Sequence, residues 1–330
     1  MYGRVVGVTV VGVRGQIVSV EAHVGRGLPS LTLTGLPGAA VSDARDRIRP
    51  AVESAGFEWP LRRVVVNLSP GNLRKEGPGL DLPVAMGVLA ATGQARANVV
   101  EGWAFAGELS LRGALVPTPG ILSVSIAALR HRLRGVVVPE ANGAEASLVE
   151  GVEVVAAPTL ADVVGFFRGT WRPSAVTAAT RSDDGRHAVD LAEIRGQAQA
   201  RRALEVAAAG GHNLLLIGSP GAGKTMLARR LATILPEMSR SEALEVTQLH
   251  SVAGLLAGGG LVAERPFRSP HHTVSIAALL GGGSTYLRPG EVSLAHGAAT
   301  TLAFVRTVSF VIDAWPLLIC RALVAKGASP

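Results

Sequence analysis

The octapeptide Gly218-Ser219-Pro220-Gly221-Ala222-Gly223-Lys224-Thr225 holds four fixed residue types at the spacing G-x4-G-K-[ST]. The chemistry of that pattern is the cradling of a polyphosphate. Glycines let the backbone turn with its N–H groups aimed at phosphate oxygens, and a following helix adds its positive end. Lys224 then reaches the β- and γ-phosphates, and the Thr225 hydroxyl ligates the Mg2+ that bridges them. The flanks suit this reading: apolar Leu214-Leu215-Leu216-Ile217 predicts a strand before the loop, and MLARRLATIL predicts a helix after it. The expected ligands are ATP and Mg2+, with all eight residues, Gly218 to Thr225, in the nucleotide site.

The elements that must position this loop begin at Asp190. There, DLAEIRGQAQARRALEVAAAGGHN predicts a helix over Gln197–Ala209 leading into the strand. Ahead of it, Thr170 to Val189 is rich in Thr, Ser, Arg, Pro and Asp without hydrophobic period, and residues 169–189 read as a linker. Residues 1–168 read as an α+β domain. Three strands are expected between Arg4 and Leu36, turning near Arg14-Gly15 and Gly25–Pro29, then a capped helix from Val41 and a strand ending near Asn67. LDLPVAMGVLAATG gives a helix, WAFAGELSLRGALVP two strands and ILSVSIAALRHR a helix; GVVVPE and VEVVAAP give strands, and LADVVGFFRG closes with a helix.

Composition allows two well-filled domains: 330 residues, 48% hydrophobic, mean hydropathy +0.34. The net charge of +7 suits an anionic partner. Only Lys75, Lys224 and Lys326 are lysines, so the charge is nearly all arginine, which a GC-rich genome produces as readily as nucleic-acid binding does. A single cysteine, Cys320, excludes an internal disulfide and a cysteine metal cluster, and fits a reducing, cytoplasmic setting. The start lacks a signal-type apolar core, and the apolar run Leu302–Val324 is broken by Arg306, Asp313, Pro316 and Arg321, so no membrane partner is expected.

Two dense blocks carry a resemblance. IRGQAQARRALEVAAAGGHNLLLIGSPGAGKTMLARRLATILP, PFRSPHHTVS, GGGS and RPGEVSLAH make residues 190–296 resemble the magnesium-chelatase-like branch of the AAA+ ATPases, specifically the bacterial YifB/ComM proteins. MYGRVVGVTVVGVRG, LTLTGLPGAAVSDARDRIR, NLSPGNLRKEGPGLDLPVAMGVL and GELSLRGALVPTPG resemble the N-terminal half of that family, which is related to the Lon protease domain and ribosomal protein S5. The fold implied is an α+β domain of the ribosomal protein S5 domain 2-like type followed by an incomplete α/β P-loop NTPase (AAA+) domain. The resemblance implies a homo-oligomeric, hexameric ring that works on DNA as an ATP-driven motor, with ComM-type branch migration during uptake of transforming DNA. The alternatives are a non-motor ATP-binding switch of the chelatase type and an inactive fragment.

The Lon likeness does not extend to proteolysis, which needs a serine activated by a lysine. KEGPGLDLPVAM puts Gly79 or Leu80 at the serine position, and the helix around Leu122, where the lysine would stand, has only Ser123 and Ser125 nearby. Ile194, Arg195 and Gly196 resemble the segment packing on adenine, with ordinary strand-to-helix packing as the equal alternative. Adjacent His271 and His272 point apart and lack a third ligand, so zinc is not expected. Arg265, Arg268 and His271 are candidate nucleic-acid contacts, with a solvated loop as the equal alternative, and the triplets Gly258–Gly260 and Gly281–Gly283 are expected to be hinges.

The resemblance stops after His296. Hydrolysis in such enzymes needs a strand ending in Asp-Glu, yet after Glu291 the acidic residue is Asp313, followed by Ala314. No catalytic residue is therefore assigned. Residues 297–330 read as a divergent tail from truncation or a shifted frame, with sensors, arginine finger and lid missing.

Overall fold

The structure, a computed structural model, describes residues 1–175, 189–219, 221–256, 259–271, 273–282, 288–297, 299–303, 308–313 and 319–320. Its contacts divide the chain into two mixed α/β units, and His250–Leu261 counts with the first. Among the described residues, no helix is long and apolar enough to cross a membrane.

The first unit is built on a sheet of seven strands. β1 (Tyr2–Val11), β2 (Arg14–Gly25) and β3 (Ser30–Thr34) open the chain; the first reversal falls at Gly12-Val13, where Gly12 takes φ +60°, two residues earlier than expected. α1 (Ala39–Ser54) starts after Gly38, which contributes no side-chain cap, contrary to the expected capped start, and β4 (Arg63–Ser69) follows. Then come α2 (Asp81–Ala91), α3 (Ala97–Val100), β5 (Trp103–Phe105), the hairpin β6 (Glu108–Leu109) and β7 (Leu115–Val116), and α4 (Ile121–Arg130). WAFAGELSLRGALVP thus yields three short strands rather than two. β8 (Gly135–Pro139), α5 (Gly143–Ala146), β9 (Glu153–Ala157) and α6 (Leu160–Arg168) complete the unit. The spatial order is β3-β4-β2-β1-β5-β8-β9, with β1, β2 and β4 antiparallel and the remaining pairs parallel.

Glycines bring helices onto both faces of this sheet. A Cβ on Gly3 would stand 2.4 Å from the Ala91 amide nitrogen of α2, and one on Gly15 would stand 2.3 Å from the Ser123 carbonyl oxygen of α4. α2 is apolar all round, and every one of its residues is buried, as expected of a helix with no wet side. Its one charge, Asp81, accepts from Arg47 Nε at 3.0 Å and Nη2 at 3.2 Å and from the Leu109 amide at 3.2 Å. Burial pushes that carboxyl up to about 6, with Arg47 and the Leu109 amide pulling the other way. Glu145 is likewise buried, accepting from the Leu122 amide at the start of α4, from Asn142 and from Ser251, and burial raises its pKa.

The second unit contains α7 (Ala198–Gly210), β10 (Asn213–Ile217), α8 (Lys224–Ile234), α9 (Arg240–Val252), β11 (Phe267–Arg268), α10 (Ile276–Leu280), β12 (Gly281–Gly282), β13 (Arg288–Pro289), α11 (Glu291–Leu294), β14 (Ala299–Ala303), β15 (Val308–Asp313) and β16 (Ile319–Cys320). Leu204 and Ala207 of α7 pack with Leu227, Ala228 and Leu231 of α8 on Leu214 and Leu216 of β10. Gly281 and Gly282 of the second expected hinge pair with Pro289 and Arg288, and Gly258 and Gly283 lie outside the described residues.

Candidate functional site: the loop between β10 and α8

β10 ends at Ile217 and α8 begins at Lys224, so Gly218 to Gly223 must reverse the chain within six residues. Gly221 and Gly223 do so at φ +83° and +82°, in the left-handed region that side chains with a Cβ avoid. A Cβ on Gly221 would touch nothing within 4 Å, so its glycine answers to backbone conformation and leaves open space beside it. The Ala222 amide donates to the Ser219 carbonyl at 3.2 Å. Lys224 curls back over the turn and donates from Nζ to the carbonyls of Gly218 (2.8 Å) and Ser219 (2.9 Å). An ammonium has three donors, and those two bonds hold it at the mouth of the loop beside the N-terminus of an eleven-residue helix. Thr225, in the first turn of α8, is exposed. Pro220 lies outside the described residues.

Three side chains brace the approach to the loop. Gln197, at φ +53°, donates from Nε2 to the Ala222 carbonyl at 3.5 Å. Arg201 donates to the Ile194 carbonyl at 3.4 Å. Arg230 of α8 donates to the Asp190 carbonyl at 2.8 Å, to Glu193 at 2.7 Å and to the Met226 carbonyl at 3.2 Å. The segment 190–197 is therefore tied to the loop and its helix, and Ile194 is buried there. Sequence reasoning did not pick out Gln197 or Arg230; their short spacing to Gly196 and to Lys224 was the available signal.

The far side of the site is different. β15 runs antiparallel to β10, with Ile217 opposite Val308 and Leu214 opposite Val311. Asp313, the acidic residue of the VSFVIDA run, is thereby carried to the end of the sheet remote from the loop, where it pairs with Ala299. Five residues of strand separate it from the level of Val308, about 17 Å at 3.4 Å per residue. Its backbone thus lies at the end of β15 opposite to the one beside the loop.

The other candidates are spent on structure. Arg268 forks onto Glu291 at 2.8 and 3.2 Å. Arg265 donates to the Pro236 carbonyl at 2.6 Å and to that of Gly297, and stands 3.5 Å from Glu242. Both guanidinium groups make internal pairs. His271 is exposed, its Nδ1 2.8 Å from the Thr273 hydroxyl, and His272 lies outside the described residues. Among the described residues, no group of three His, Cys, Asp or Glu is placed to hold a metal.

In the first unit, a cavity of about 60 Å³ is bounded by Thr9, Glu76, Gly77, Gly79, Thr118 and Ile121, where a Lon-type dyad would be built. Leu122 is wholly buried, and Ser123 donates its hydroxyl to the Val13 carbonyl at 2.8 Å. Lys75, the nearest lysine in sequence, is fully buried and donates to the carbonyls of Gly35 (2.7 Å) and Pro70. It is a backbone clamp for the turn before α1, and its burial lowers its pKa.

Two family models match: "Magnesium chelatase, subunit ChlI" over residues 190–304 and "Subunit ChlI of Mg-chelatase" over residues 20–142. Together with the two mixed α/β units, they define a magnesium-chelatase-like protein of the AAA+ class. An uncharacterized protein of Mycobacterium tuberculosis is 47% identical over 296 residues, covering 89% of this chain and 58% of that protein. The uncharacterized protein YifB of Escherichia coli is 42% identical over 294 residues (88% and 57%), and the competence protein ComM of Haemophilus influenzae 42% over 288 residues (86% and 56%). A weaker likeness, 27% over 183 residues, links the chain to the Lon protease of Geobacter metallireducens. The chain belongs to the YifB/ComM family, and it spans under three-fifths of the length of these three relatives.

Proposed function

We propose that residues Gly218 to Thr225 bind the triphosphate of ATP, with Thr225 completing the shell of a bound Mg2+. The observation that supports this most directly is Lys224. Its ammonium is held by two neutral carbonyls at a helix N-terminus, where an anionic oxygen is a stronger acceptor than either. Gly221 and Gly223 supply the left-handed turn that lets backbone amides face such an anion. The bound nucleotide-metal pair would supply a polarised γ-phosphate; this chain's residues bind and orient it.

Turnover by the chain as given is slow in this reading, because Asp313 lies far from the loop and no glutamate follows it. The longer relatives suggest the wider role: an ATP-driven, ring-forming protein acting on DNA, as the name of the competence protein ComM invites. The chelatase-model matches favour the second reading, an ATP-binding switch that assembles on a partner. Titration calorimetry with a non-hydrolysable ATP analogue tests the shared core of both. Binding that requires Mg2+ and is abolished by Lys224→Ala supports it; equal affinity of the variant refutes it. Branch-migration activity on a four-way junction then separates motor from switch.

A further inference from the structure

The half-sheet β3-β4-β2-β1 has two faces, and only one is fully covered. Val5, Val18, Val20, Ala22, Val24, Val64, Val66 and Leu68 lie buried on the side of α1 and α2. On the other side, α4 covers the end of the sheet carrying Val8, Val10, Gly15 and Ile17. Beyond that end, the register aligns open rows across four strands. One row is Thr32, Val65, His23 and Tyr2; the next is Thr34, Asn67, Glu21 and Arg4; the outer one is Ser30, Arg63 and Gly25. Tyr2, Arg4, His23, Ser30, Thr32, Thr34, Arg63 and Asn67 are all exposed, Tyr2 by 60%.

An antiparallel sheet with one wet face needs only polar alternation there. This face has more. Tyr2 and His23 are direct cross-strand partners, so both rings rise from the same face, the His23 imidazole leaning along β2 over Gly25. Arg4 and Arg63 flank them, Arg26 follows directly on β2, and Glu21 is the one acid of the rows. Arg4 is exposed and donates from Nε to the Ser19 hydroxyl at 3.0 Å. Strands about 4.8 Å apart make the platform about 14 Å wide. Rings for base stacking and flanking guanidinium groups for phosphates are the chemistry of a single-stranded nucleic acid platform, while Thr34, Asn67 and Glu21 are hydrogen-bonded to one another along their row.

We propose that this open face of β3-β4-β2-β1 binds single-stranded nucleic acid, stacking bases on Tyr2 and His23 and holding phosphates with Arg4 and Arg63. The proposal gives a surface to the nucleic-acid partner of the preceding section but uses no residue of the phosphate loop, so it stands or falls separately from ATP binding.

The test is fluorescence anisotropy of the full chain with labelled oligothymidylate of about 16 nucleotides, titrated from about 50 to 200 mM salt. Replacing Arg4 and Arg63 together by Gln should weaken binding at least tenfold and flatten the log–log salt slope by about 1.4, at about 0.7 per cation on single strands. Replacing Tyr2 and His23 together by Leu should weaken it without changing the slope. Lys224→Ala should bind the oligonucleotide as the wild-type chain does. Absence of wild-type binding, an unchanged slope in the arginine variant, preference for a duplex, or equal competition by polyglutamate would each overturn the proposal. The arginine and ring pairs are independent variants, all at exposed positions, so misfolding of one leaves the other to decide.

Discussion

Replacing Asp81 by Asn tests the central polar contact of the first unit. The Asp81 side chain is 1% exposed, while its partner Arg47 keeps 26% exposure. Burial raises the carboxyl from 3.8 to about 6, so the folded state holds its proton more tightly than the unfolded chain does. The stabilisation linked to that proton is complete below pH 4 and is lost as pH rises through 6; at neutral pH the carboxylate is ionised and forked to Arg47. A shift of about two units corresponds to roughly 3 kcal/mol between the ends of that window. Asn has nearly the shape of the protonated acid and does not titrate. Asp81→Asn should therefore gain on the wild-type chain by up to roughly 3 kcal/mol between pH 4 and pH 7. The assay is urea unfolding across that range, followed by tryptophan fluorescence; Trp59, Trp103 and Trp171 all belong to this unit. A flat difference, or a wild-type chain that gains on the variant as pH rises, would show that the Arg47 fork outweighs burial, and the reasoning would be refuted.

Lys75→Met leaves the Gly35 and Pro70 carbonyls without their buried donor, and unfolding experiments should record a loss of about 1–3 kcal/mol for each. Because burial lowers the Lys75 pKa, its contribution rises with pH through the window below 10.5; the variant should lack that rise. Gly15→Ala drives a methyl to 2.3 Å from the Ser123 carbonyl, and a melting curve should show destabilisation of about 1–3 kcal/mol as α4 lifts from β2. Arg230→Met cuts the ties to Asp190 and Glu193, and hydrogen exchange should become faster at Asp190–Ile194 while α8 stays protected.

The strand-loop-helix around Lys224 was readable because its determinants are local: an apolar run, glycines where φ must be positive, and a periodic helix. Most elements of the first unit were legible for the same reason, from alternation in β1, β2 and β4 to the wholly apolar α2. The misplaced turn at Gly12 and the split of the WAFAGELSLRGALVP segment show the limit: strand ends depend on partners far along the chain. The expected side-chain cap of α1 is absent because the cap position falls on Gly38, which has no side chain to accept from the first amides; its own amide donates to the Lys75 carbonyl at 2.8 Å.

What the sequence by itself determined was therefore the loop's residue types, the order of elements and an alanine, Ala314, directly after Asp313. Tertiary structure alone decided where charges act. Antiparallel pairing with β10 carries Asp313 away from the loop, Glu291 and Glu242 claim Arg268 and Arg265, and backbone carbonyls bury Lys75. Cross-strand register sets Tyr2 beside His23 on an open face. Residue types constrain the chemistry available, but partners separated by tens of residues are fixed only when the sheet closes its hydrogen bonds, and those partners decide which groups remain free to bind.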